Sequence, residues 1–291
     1  IASSLVGSEM CIRDSILVGA GIKNYGTIAA ESVLKLAELL NAPCTMSPGH
    51  GDSLPYGHPL NAGSAGPRGS GIGTQLLKEA DVILVLGSRL GFNTTFYSYD
   101  NLNEDASIIQ CEIDQNSIGR YFPVEVGIHA DAKTVADQLF NLLGEHKAKK
   151  EVEVWADQFK DNKKNYLKQR DAEADMSSVP IMPSGLFKEL RNVLPNDSVV
   201  TLDAGTMCLQ LTDALYYHQP KSLFSPLDFG LVGFSYPAGL GIKLAAPERT
   251  VVSFHGDGGA SMILPELSTA VEHNINTVCV VMNNGTWGAE A

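Results

Sequence analysis

Two polar clusters late in the chain carry residue types that hold a phosphorylated cofactor through a metal: Gly256-Asp257-Gly258-Gly259 and, one helix and one strand later, Asn283-Asn284. Mg²⁺ takes near-octahedral oxygen ligands and is commonly held by one or two protein side chains plus phosphates and water, so one carboxylate and one amide suffice. The glycines beside Asp257 let backbone N–H groups approach phosphate oxygens, and a helix starting there would add its N-terminal amides. Each cluster follows a short apolar run, Thr250 to Phe254 and Thr277 to Met282, that predicts a strand. Ligands of open α/β sheets sit outside the carboxyl ends of strands, so the two clusters face one crevice. A third such end is predicted where Ser198 to Leu202 runs into Asp203-Ala204-Gly205-Thr206. Alone, Gly-Asp-Gly is more often a plain strand-to-helix turn; Asn-Asn at the next strand end makes it a site.

The positioning elements repeat along the chain as short apolar runs alternating with segments of helical period, the pattern of parallel sheets covered on both faces. Strands are predicted at Ile16 to Val18, Cys44 to Met46, Val82 to Leu86, Ser107 to Ile113 and Gly127 to Ile128, with helices at Ala29 to Leu40 and Ala132 to Leu143. A second block has helices at Gly185 to Leu194, Tyr236 to Ala245 and Pro265 to His273; Ser184 is the expected cap of the first, with Pro183 blocking extension backward. The fold class is therefore α/β, with two Rossmann-like doubly wound parallel-sheet domains at 16–146 and 181–291. Between them, 147–180 is rich in Lys, Glu, Asp and Gln and predicts a helical, solvated linker. Residues 1–15 fit neither a signal peptide nor the pattern that follows; they resemble a translated sequencing adapter and are expected to be a non-native leader.

Composition narrows the function classes. The 291 residues are 44% hydrophobic and 19% charged, with 21 Lys and Arg against 33 Asp and Glu for a net charge of −12. With no basic stripe to follow a phosphate backbone, nucleic acid is not an expected partner. No apolar run approaches the roughly 20 residues of a membrane span. Five dispersed cysteines in apolar segments argue for reduced thiols and a cytoplasmic protein.

Gly-Asp-Gly, a helix, a strand and Asn-Asn resemble the signature of the thiamine-diphosphate enzymes of the acetolactate synthase and pyruvate decarboxylase type. That resemblance implies thiamine diphosphate and Mg²⁺ as cofactors. It implies Asp257, the Asn284 side chain and the Thr286 carbonyl as metal ligands, with Gly256, Gly258 and Gly259 around the diphosphate. Phe229-Gly230-Leu231-Val232-Gly233-Phe234-Ser235-Tyr236 is similar to the family segment that holds the aminopyrimidine. Gly230 would offer its carbonyl to the 4′-amino group and Val232 would prop the cofactor's bend, where relatives often carry a larger residue. Gly205 and Thr206 lie where the family often has Gly-Gln-His against the diphosphate; Met207 departs from that pattern, since it cannot donate as histidine does.

Within the family, Trp287-Gly288-Ala289-Glu290 resembles the sulfoacetaldehyde acetyltransferases. The implied reaction converts sulfoacetaldehyde and phosphate to acetyl phosphate and sulfite; the alternative is an acetolactate-synthase-like carboligase or 2-oxo-acid decarboxylase. Either implies a small-molecule aldehyde or 2-oxo acid substrate and a homodimer or homotetramer at full length. The family's activating glutamate lies on a separate N-terminal domain, so the chain is expected to be an inactive fragment, truncated at its C-terminus, with no catalytic residue of its own. A reading from another class, a non-catalytic nucleotide-binding or subunit-contact module, makes the glycine turns architectural.

In the first block, Gly19-Ala20-Gly21 lacks the third glycine of a dinucleotide fingerprint and is more often a tight turn. The resemblance implies FAD in acetolactate synthase and ADP in some relatives for this domain. Candidate contacts are Gly19, Gly21, Ser88, Arg89 and Asp114, although a strand-end aspartate such as Asp114 is more often a solvated carboxylate than a ribose ligand. His50 and His58 flank a Gly- and Pro-rich loop but lack the further partners a metal site needs.

Overall fold

The computed structural model describes residues 12–144 and 148–288; most of the expected leader, and Ala289 and Glu290 of the C-terminal tetrapeptide, lie outside them. The first unit alternates β1 (Asp14–Val18), α1 (Ala20–Lys23), α2 (Thr27–Leu40), β2 (Cys44–Met46), β3 (Asn61–Ser64), α3 (Gly71–Glu79), β4 (Val82–Leu86), α4 (Phe92–Thr95), β5 (Ser107–Glu112), β6 (Val126–His129) and α5 (Ala132–Leu143). Then come α6 (Lys150–Ala172), α7 (Pro183–Val193), β7 (Val199–Leu202), α8 (Thr206–Ala214), β8 (Leu223–Phe224), α9 (Ser235–Ala245), β9 (Val251–Gly256), α10 (Asp257–Met262), α11 (Glu266–Glu272) and β10 (Val278–Met282).

The strands form two sheets, ordered β3-β2-β1-β4-β5-β6 and β10-β9-β7-β8, in which every pairing is parallel. Parallel sheets bury both faces, and successive side chains alternate between them. In β1, Ile16 and Val18 join the core with Val33 and Leu36 of α2 and Leu139 of α5, while Leu17 faces Ile83, Val85 and Leu77. In the second sheet, β7 stands between β8 and β9, so the chain reverses its direction of winding there. The switch point falls between β7 and β9, and Asp203 and Asp257 stand at the carboxyl ends of those two strands.

Six elements were not foreseen: α1, β3, α3, α4, α8 and the two-residue β8. Strand β3 reads Asn-Ala-Gly-Ser, with nothing apolar beyond alanine. It is held by Asn61, whose Nδ2 donates to the Leu54 and Pro55 carbonyls at 3.2 and 2.9 Å, and by the Thr45 hydroxyl, which donates to the Gly63 carbonyl at 2.8 Å. Helix α7 begins on Pro183 itself, with Met182 at the cap position and no side-chain cap, so Ser184 does not play the expected role. Proline suits that first position, whose N–H would be unpaired anyway.

Helix α6 is helical as expected, but it is more than a solvated connector. Phe159 packs with Ala62, Ile72 and Leu76 of the first unit. Lys163, 8% exposed, donates to the carbonyls of Tyr56 and His58 at 3.1 and 2.8 Å, and burial pushes its ammonium down to about 8. In its last turn, Arg170 donates to the Asp213 carbonyl at 2.9 Å and the Tyr216 hydroxyl at 2.8 Å in the second unit. A buried ion pair ties the units as well. Lys23 meets Asp52 at 3.0 Å, and Asp52 accepts from the Ser222 and Leu223 amides at 2.9 and 3.0 Å. Asn93 donates to the Leu227 carbonyl at 2.9 Å. The first unit thus anchors residues 222–228, which lead directly into the 229–235 segment.

Candidate functional site

Asp257 opens α10 directly after β9, and Asn284 follows β10, which pairs with β9 in register from Val278 with Val252 to Met282 with Gly256. Adjacent parallel strands of matched length bring their ends together, and the Asn284 N–H points at Asp257 Oδ1 at 3.5 Å. Asn284 Oδ1 accepts from Thr286 N at 3.1 Å and Asn283 Oδ1 from Gly285 N at 2.9 Å, so both amides shape the turn that carries Thr286. A carbonyl oxygen has two lone pairs, and that turn leaves one on Asn284 Oδ1. One carboxylate and one amide oxygen at neighbouring strand ends are the sparse hard-donor set that Mg²⁺ shares with phosphates and water. Among the described residues no three His, Cys, Asp or Glu side chains converge as a metal cage. His58 lies 3.1 Å from Glu38, and the half-buried His50, pushed down to about 4 by desolvation and then by Lys23, has no partner for its buried Nδ1.

The 229–235 segment approaches the same loop from the β7 side. Gly230 and Gly233 take φ of 72° and 86°, turning the chain into α9, and Phe229 and Gly230 are exposed while Val232 is half-buried. A Cβ at Gly259 would fall 3.6 Å from Val232 Cγ1 and would collide with the Asp203 carboxylate; only glycine permits this approach. A Cβ at Gly258 would lie 2.9 Å from Trp287 Nε1, so the indole packs over that peptide. Gly205 caps α8, placing Thr206 on its first turn, and Thr206 and Gly288 line one end of a cleft of about 760 Å³ reaching Arg68, Arg170 and Arg191. The structure thus brings Gly256, Asp257, Gly258, Gly259, Val232 and Asn284 together, with Gly230 on the exposed bend and Gly205, Thr206 and Thr286 at the flank.

Asp203 and His255 were not recognised as site residues. Both are 0% exposed. The Asp203 carboxylate accepts from the amides of Gly233, Phe234 and Ser235 at 3.0, 2.8 and 3.4 Å. His255 Nδ1 stands 3.6 Å from Asp203 Oδ2, beyond hydrogen-bond reach but within ion-pair range. Burial raises the Asp203 pKa, but the approach of His255 and the amides of Gly233 and Phe234 outweigh it and hold the carboxyl below its ordinary value. The available signal was an aspartate directly after a β-branched strand, but its partners lie some thirty residues downstream.

In the first unit, Gly21, Ser88 and Arg89 meet around a cavity of about 270 Å³ that Asn24, His50 and Glu112 also line. Gly19 and Gly21 press against Gly87, where a Cβ at Gly21 would fall 2.8 Å from the Gly87 α-carbon, so packing alone demands these glycines. Asp114 lies apart, accepting from Asn116 N at 3.0 Å and the Ser117 hydroxyl at 2.8 Å in its own turn.

The molecule is an α/β protein whose second parallel sheet gathers an aspartate, an asparagine and glycine turns at the carboxyl ends of neighbouring strands beside its switch point. Residues 13–139 match the thiamine pyrophosphate enzyme central domain, and residues 203–291 the C-terminal TPP-binding domain of the same enzymes. The chain belongs to the thiamine pyrophosphate enzymes. It is 32% identical over 298 residues to a sulfoacetaldehyde acetyltransferase of Alcaligenes xylosoxydans xylosoxydans, covering 94% of this chain and 49% of that protein. It is 33% identical over 283 residues to the same-named protein of Castellaniella defragrans, covering 90% and 47%. A probable acetolactate synthase large subunit of Methanococcus aeolicus is 31% identical over 290 residues, covering 95% and 47%. The chain spans about half the length of the curated relatives it matches. No described helix is long and apolar enough to cross a membrane.

Proposed function

We propose that this chain forms the central and cofactor-binding part of a thiamine-diphosphate- and Mg²⁺-dependent acyltransferase that converts sulfoacetaldehyde and phosphate to acetyl phosphate and sulfite. The observation that carries the cofactor reading is the meeting of Asp257 and Asn284 at adjacent strand ends, 3.5 Å apart through the Asn284 amide. Bound there, thiamine diphosphate supplies a carbon nucleophile for a carbonyl and a ring that stores the electrons released when a bond to that carbon breaks. The protein's part is to hold and orient. Asp257, Asn284 and the Thr286 carbonyl would ligate the metal; Gly256, Gly258, Gly259, Gly205 and Thr206 would border the diphosphate; Gly230 and Val232 would support the pyrimidine side. The acetyltransferase assignment rests on the relatives of that name at 32 and 33% identity. The acetolactate synthase relative at 31% keeps a pyruvate-using carboligase as the second reading. The activity is a property of the longer protein, a homodimer or homotetramer, whose free Cys44, Cys111 and Cys279 suit a cytoplasmic setting.

Two measurements test this. Calorimetric titration of thiamine diphosphate should show binding only with Mg²⁺, and Asp257→Ala should abolish it; metal-independent binding, or binding that survives the substitution, overturns the cofactor reading. Product analysis on the full-length enzyme should give sulfite and acetyl phosphate from sulfoacetaldehyde and phosphate, whereas acetolactate from pyruvate alone would establish the second reading.

A further inference from the structure

Asp203 is buried where the two halves of the cofactor cradle meet. On one side its carboxylate takes the amides of Gly233, Phe234 and Ser235, where the chain enters α9. Phe234, at the cap position of that helix, offers no side-chain acceptor, so Asp203 caps α9 from another strand. On the other side the same carboxylate lies against the α-carbon of Gly259 in the metal loop, and His255, whose strand leads into Gly256 and Asp257, approaches it at 3.6 Å. Gly230 and Gly233 have no side chains to stiffen the turn, and a Cβ at Gly230 would meet nothing within 4 Å. Both Asp203 oxygens are occupied by protein donors in a fully buried site, so it is not itself a metal ligand or a catalytic residue.

We propose that Asp203 is a positioning residue that holds the Gly230–Phe234 turn in register with the Gly256–Gly259 loop, so that the pyrimidine and diphosphate ends of one cofactor are gripped at a fixed separation. This deepens the thiamine diphosphate reading and rests on it. Because Asp203 acts on the relation between the halves, its loss penalises a ligand that spans both and spares one that occupies the diphosphate half alone.

The test compares Asp203→Ala and Asp203→Asn with wild type in the whole protein that the gene encodes, titrating thiamine diphosphate with Mg²⁺ and, separately, inorganic pyrophosphate with Mg²⁺. Asp203→Ala should weaken thiamine diphosphate about ten- to a hundredfold, the equilibrium equivalent of losing about one charge-assisted hydrogen bond. Its magnesium pyrophosphate affinity should stay at the wild-type value. Asp203→Asn, which keeps the shape and one acceptor and serves if the alanine variant does not fold, should show a smaller loss of the same selectivity. Equal weakening of both ligands, or of neither, overturns the positioning role. A wild type that binds neither ligand overturns the cofactor reading and this inference with it, whereas a wild type that binds both while the variants match it overturns the inference alone.

Discussion

Asp14 should destabilise the protein it belongs to, and replacing it by asparagine should reveal by how much. It is the first residue of β1, paired with Val82 of β4, is 8% exposed, and its Oδ1 has no hydrogen-bond partner. Burial, and then repulsion from Asp81, push its carboxyl from 3.8 up to about 6, with Lys149 pulling the other way. A folded-state pKa above the unfolded one means that the native protein binds the proton more tightly. The cost of the buried charge is therefore fully present above pH 6 and is relieved as pH falls from 6 to 3.8. A shift of roughly 2 units at about 1.4 kcal/mol per unit gives about 3 kcal/mol at neutral pH. Urea unfolding at pH 7.5 should find Asp14→Asn more stable by about that amount, and the gain should shrink toward zero near pH 4. No gain at pH 7.5, or a gain that is the same at both pH values, would refute the desolvation argument.

Gly259→Ala places a methyl group into the Asp203 carboxylate; the overpacking should cost about 1–3 kcal/mol and lower the melting temperature, and magnesium-dependent thiamine diphosphate binding should fall with it. Asp52→Ala strands Lys23 without its ion partner and frees the Ser222 and Leu223 amides. Loss of a buried pair member costs about 3–5 kcal/mol, and limited proteolysis should then cut near 222–228 before anywhere else in the second unit; a wild-type cleavage pattern would show that the tie is not needed. Burial pushes the thiols of Cys44 and Cys111 up to about 12. In a variant lacking Cys11, Cys208 and Cys279, a thiol reagent at pH 8 should therefore label nothing until urea is added.

The parallel character of both sheets was legible because strands buried on two faces are written as continuous apolar runs, as in Val82–Leu86. The Asp257 and Asn284 clusters were legible because strand ends and glycine turns are local features. Helix α6 shows where local reading stops. Its charge predicts helix, but which side rests on the first unit was decided by Phe159 and Lys163 finding Ile72 and the Tyr56 and His58 carbonyls across the fold.

For the site, the residue types and their order along the chain determined that Asp257, Asn284 and the glycine turns stand at strand ends. They could not determine which strand ends become neighbours. That followed from the order β10-β9-β7-β8, which sets Asp203 beside the Asp257 loop and lets one buried carboxylate serve the amides of Gly233 to Ser235. A glycine after a strand-end aspartate suggests phosphate contact in sequence, yet Gly259 is required by the carboxylate pressed against it. The physical reason is the same in each case: turn chemistry and burial pattern act over a few residues, whereas a buried charge is satisfied only by donors that the packed sheet delivers from elsewhere in the chain.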